Sequence, residues 1–85
     1  MKKQVKKRDG SAEPYEESKV ARVVTAAGLS PDQAHTLSVN VTAWMTSLPE
    51  TSISSLDIRD KVLELLVVTD KNVADFYLWY EKTKE

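Results

Sequence analysis

Apolar and polar positions alternate at helical spacing over most of the chain. Val20, Val23, Val24 and Ala27 predict a first helix from about Glu16 to Ala27. Glu16 and Glu17 fall in its first turn, where carboxylates suit the helix dipole. Gly28 is placed to end it, because glycine takes positive φ without penalty. The second helix has a capping box: Ser30 as N-cap, Pro31 at the first helical position and Gln33 two residues on. Leu29 and Ala34 form a weak staple. Ala34, Leu37, Val41, Trp44 or Met45, and Leu48 give this helix one apolar face, and Pro49 stops it. Residues 49–54 are predicted to be a loop. Ser54 then caps a third helix, with Ile53 and Ile58 as its staple and Ile58, Val62, Leu65, Leu66 and Thr69 inward. Asp70 caps a last helix from Lys71 to about Thr83. Val73, Phe76, Tyr77 and Tyr80 line one side of it, spaced as core residues rather than as a base-stacking platform.

The first fifteen residues follow a different pattern. Residues 3–8 read as a strand with Val5 and Lys7 on one face and Gln4, Lys6 and Arg8 on the other. Asp9-Gly10 predicts a two-residue turn with positive φ at both positions. Ala12 to Tyr15 return, and Pro14 turns a side that cannot donate toward a free edge. The expected fold class is α+β, mostly α. An N-terminal β-hairpin (3–15) covers a four-helix, bundle-like remainder (16–83) in a single domain, 1–85.

Composition narrows the chemistry. An 85-residue chain builds a small core, and with no cysteine it has neither disulfides nor a cysteine zinc site to reinforce it. The net charge of −1 conceals an asymmetry: Lys2, Lys3, Lys6, Lys7 and Arg8 make the start basic and the rest mildly acidic. A basic arm favours an anion, whether nucleotide, nucleic acid or acidic lipid. No apolar run reaches membrane-spanning length, and the basic start leads into no signal-peptide core, so a cytoplasmic location is expected. Catalysis is not expected. His35 is the one histidine, lies off the apolar face and has no partner at a motif spacing. The sequence contains no zinc-protease, Walker or calcium-loop motif.

The informative stretch is Val5 to Val20. A hairpin running into a helix start places fixed cations beside unpaired backbone N–H groups, which is how polyphosphate sites are commonly built. Lys7, Arg8 and Lys19 can surround a triphosphate. Glu13 can accept from an exocyclic amine, favouring adenine over guanine, and Val5 and Val20 can hold the base between them. Two plainer readings use the same residues. Lysines on an edge strand discourage aggregation, and a basic arm can bind nucleic acid through phosphates.

The order Val5-x-Lys7-Arg8-Asp9-Gly10, then Glu13, Tyr15 and Lys19-Val20 at a helix start, resembles the opening of the ATP-cone. This regulatory domain is found at the N-termini of ribonucleotide reductases and in the zinc-ribbon repressors of their genes. The resemblance implies nucleotide-binding roles for Val5, Lys7, Arg8, Glu13, Glu16, Lys19 and Val20. It also implies one for Ser55, a hydroxyl at the start of the third helix before Asp57-Ile58. The ligand implied is ATP or dATP, with Mg2+. Its binding would change oligomeric state, or the activity of a partner in trans such as a ribonucleotide reductase. There are departures. Glu16 stands where the family often has Asn or Asp; a carboxylate there can still accept from adenine but would repel phosphates if it turned toward them. The last helix lacks the family's basic residue, for which Lys82 is a substitute. These 85 residues hold no zinc ribbon, so DNA binding by that route is not expected.

Overall fold

The computed structural model describes residues 3–83, with side chains through Glu81. Lys2 and the side chain of Lys82 lie outside the described residues. The order is β1 (Gln4–Lys6), β2 (Ala12–Pro14), α1 (Glu17–Ala26), α2 (Pro31–Ser47), β3 (Ser52–Ser54), α3 (Ser55–Thr69) and α4 (Lys71–Thr83).

The predicted hairpin is present, but its turn differs. Lys7 N–H donates to Ser11 O at 2.8 Å and Gly10 N–H to Lys7 O at 3.1 Å, which encloses the three-residue loop Arg8-Asp9-Gly10. Gly10 takes φ +90°, and no non-glycine residue among those described has positive φ. Asp9 therefore does not adopt the conformation predicted for it. Its carboxylate instead accepts from the Ser11 N–H and hydroxyl, at 2.9 and 2.6 Å. Those bonds lower its pKa and favour the longer loop class, in which glycine alone takes positive φ.

The predicted loop 49–54 contains a strand. Gln4 pairs with Ser52, Val5 with Ile53 and Lys6 with Ser54, all parallel, giving the sheet order β2-β1-β3. The cation-bearing strand is thus central, which removes the edge-protection reading of its lysines. Pro14 lies on β2, at the free edge, as expected. Ile53 drives the third pairing: it is 4% exposed between two serines, too short a run to show periodicity.

The helix ends follow local chemistry. Leu29 N–H donates to Val24 O and Gly28 N–H to Thr25 O, with Gly28 at φ +118°, forming a Schellman closure of α1. Ser30 accepts from Gln33 N–H, Ser54 from Leu56 N–H, and Asp70 from Asn72 and Val73 N–H. α1 packs against α2, and α3 against α4. Val24, Val41, Met45 and Leu66 are completely enclosed between them. Each contributes roughly 1.5–3 kcal/mol relative to exposure.

Two inward faces differ from expectation. Thr69 is exposed, its hydroxyl bonded to Leu65 O. On α4 the buried residues are Val73, Ala74 and Tyr77, while Phe76 and Tyr80 are 49% and 39% exposed. Both stripes satisfy a 3.6-residue period. Turning the helix toward Ala74 places the smallest side chain inward beside Tyr77 and leaves the rings of Phe76, Trp79 and Tyr80 outside.

Candidate functional site

A cavity of about 210 Å³ opens between the hairpin, the start of α1 and the lower parts of α3 and α4. Val5 and Glu13 reach it from the sheet, where they are cross-strand partners and therefore share a face. Glu16, Lys19 and Val20 reach it from α1, and Ser55 from the first turn of α3. The first turns of two helices thus border one cavity, and both present the positive end of a helix dipole.

The charges at its mouth are linked. Glu13 Oε2 lies 3.4 Å from Lys7 Nζ, and Glu13 Oε1 lies 3.9 Å from Lys19 Nζ. Lys7 joins the site through this carboxylate and is not part of the wall. Arg8 stands outside, exposed in the hairpin turn. The predicted residues Val5, Glu13, Glu16, Lys19, Val20 and Ser55 are therefore brought together, Lys7 borders them, and Arg8 does not line the cavity.

The rear wall escaped sequence reasoning. It is made by Ile58, Arg59 and Val62 of α3 and by Tyr77 and Glu81 of α4. A usable signal existed: Arg59 follows Ser55 by four residues, and Glu81 follows Tyr77 by four, which puts each pair on one helix face. Burial pushes the Tyr77 phenol well above its ordinary pKa; Glu81 adds to the rise and Arg59 opposes it. Tyr77 is thus a neutral donor at any physiological pH. On the last helix the wall carries the carboxylate of Glu81, while the side chain of Lys82, the substitute for the family's basic residue, lies outside those described.

Tyr15 anchors the site to the core. Thr42 donates its hydroxyl proton to Ser38 O at 3.0 Å, so the 2.9 Å contact between the Tyr15 and Thr42 hydroxyls has tyrosine as donor. Burial raises the Tyr15 pKa, which keeps the phenol protonated as that donor. The basic arm is also less free than its composition implies. Lys3 Nζ donates to the carbonyls of Leu48 and Glu50, tying β1 to the end of α2.

Across family models, that of the ATP cone domain matches residues 3–85. The chain belongs to the ATP-cone family. Cone domains are nucleotide-binding regulatory modules that bind ATP or dATP in general. No curated protein matches the chain. In this cone the hairpin, the four helices and the mostly helical α+β class agree with the fold expected from sequence, with β3 as the addition. Among the described residues no helix is long and apolar enough to cross a membrane, and no cluster of His, Cys, Asp or Glu is arranged to hold a metal.

Proposed function

We propose that this cone is a cytoplasmic, non-catalytic sensor of adenine nucleotide that regulates its own association or a partner's activity. The observation that carries this reading is the convergence of Val5, Glu13, Glu16, Lys19, Val20 and Ser55 on one cavity bordered by two helix N-termini. The base lies between Val5 and Val20, with its exocyclic amine donated to Glu13 and Glu16. The phosphates lie toward Lys7, Lys19 and the Ser55 hydroxyl, and Arg8 adds positive field from the turn. Glu13, Glu16 and Glu81 border the same cavity as Lys19 and Arg59. That balance favours a triphosphate carried as its Mg2+ complex over the bare tetra-anion.

The output surface is on α4. Tyr77 and Glu81 face the cavity, while Phe76 and Trp79 of the same helix are exposed with ring centroids 5.8 Å apart. A ligand that shifts α4 moves this aromatic pair, against a second cone or against a partner such as a ribonucleotide reductase.

Calorimetry and thermal melting with ATP, dATP and GTP, each with and without Mg2+, test the reading. ATP or dATP at about a hundredfold over Kd stabilises the protein by roughly 2.7 kcal/mol. Sedimentation with each nucleotide then reports association. A melting temperature unmoved by millimolar ATP or dATP rejects the sensor. Base-indifferent binding that collapses with salt would point to nucleic acid instead.

A further inference from the structure

Glu13 holds both cations that the phosphates need. Each of its oxygens is assigned to a different lysine, Oε2 to Lys7 and Oε1 to Lys19. One carboxylate is thus shared between two cations and offsets about half of the positive charge that a triphosphate would meet there. Glu13 also projects from β2 onto the face it shares with Val5, toward the space assigned to the base.

We propose that Glu13 acts as an internal competitor for phosphate, and that adenine recruits it away from the lysines. This rests on the adenine-nucleotide reading of the cavity. An exocyclic amine offers the carboxylate a donor at the base edge. As Glu13 turns to it, Lys7 and Lys19 are released to the phosphates. Guanine presents a carbonyl at that edge, and two acceptors repel. With guanine bound, Glu13 stays on the lysines and the phosphates meet cations whose charge is partly offset. Base identity is thereby converted into phosphate affinity, and one residue contributes twice to selectivity. The pairs are weak enough to exchange: Lys7 and Lys19 are 49% and 50% exposed, so solvent screens both contacts.

The test uses a ligand without a base. Inorganic tripolyphosphate, ATP and GTP are titrated calorimetrically into the wild-type chain, Glu13→Gln and Glu16→Gln at fixed salt, with circular-dichroism melts confirming that each variant folds. Glu13→Gln keeps the shape of the side chain and removes the charge that occupies the lysines. It is expected to bind tripolyphosphate roughly threefold to tenfold more tightly than wild type. Its ATP-to-GTP preference is expected to fall toward one. Glu16→Gln removes a carboxylate from the same cavity that holds neither lysine; it relieves only repulsion and is expected to raise tripolyphosphate affinity by a clearly smaller factor than Glu13→Gln. Tripolyphosphate affinity unchanged or weakened in Glu13→Gln overturns the handover. An equal gain in Glu16→Gln also overturns it, because net charge alone would then explain the effect. If wild type binds ATP while either of these results is found, the sensor stands and only the handover falls. If wild type binds no adenine nucleotide, both fall.

Discussion

The two ends of α1 are built in opposite ways. At its C-terminus Gly28 and Leu29 return hydrogen bonds to Thr25 and Val24, and Leu29 is 3% exposed. At its N-terminus Glu16 is extended and its side chain makes no capping bond. Ser30, Ser54 and Asp70 all cap the helices that follow them. Of the two ends of α1, the uncapped one borders the cavity, beside the Ser54-capped start of α3. Polar groups are satisfied internally where the helix meets the core, and left for an outside partner where it meets the cavity. Stability and binding should therefore separate along this one helix.

The largest expected effect is at the closed end. Leu29→Ala removes a buried side chain and should lower unfolding free energy by about 2–5 kcal/mol. Denaturant melts measure this, and nucleotide affinity of the folded fraction should be unchanged. A loss of affinity equal to the loss of stability would erase the separation.

At the open end, Lys7→Ala or Lys19→Ala should weaken ATP binding roughly tenfold to a hundredfold, each removing a charge-assisted contact. The melting temperature of the ligand-free protein should barely move, since the ion pairs lost are exposed. Arg8→Ala should fall below both, because Arg8 does not line the cavity. Calorimetry ranks the three.

Lys3→Ala is the inverse case. It should lower stability by about 1–2 kcal/mol by releasing the carbonyls of Leu48 and Glu50, and leave affinity unchanged. Lys3 and Lys7 belong to one basic arm, so parallel losses of affinity in the two variants would favour nonspecific phosphate binding over a pocket.

The smallest effect is the most discriminating. Glu16→Ser supplies the missing cap and should stabilise the ligand-free chain by about 0.5–1 kcal/mol. If the free N–H groups serve the ligand, the same variant should bind ATP severalfold more weakly. Gains in both stability and affinity would show that the uncapped end has no part in binding.

Much of the site was legible in sequence because it is local. Val5 to Val20 encode the hairpin, the aromatic anchor Tyr15 and the start of α1 within sixteen consecutive residues. Helix limits were readable for the same reason: Gly28, Ser30, Ser54 and Asp70 act on backbone groups a few residues away. The hairpin loop was misjudged by one residue. The Asp9 side chain bonds to Ser11, and that bond competes with the tighter turn.

By itself the sequence determined the hairpin, the four helices, their caps and the near wall of the cavity. Tertiary structure alone decided the parallel pairing of β3 with β1, the rotation of α4 that exposes Phe76 and buries Ala74, and the rear wall of Arg59, Tyr77 and Glu81. The physical reason is range. A cap or turn is chosen by bonds within a few residues of chain. A strand pair between Val5 and Ile53, or the choice between two equally periodic helix faces, is settled only when distant surfaces compete for the same buried space.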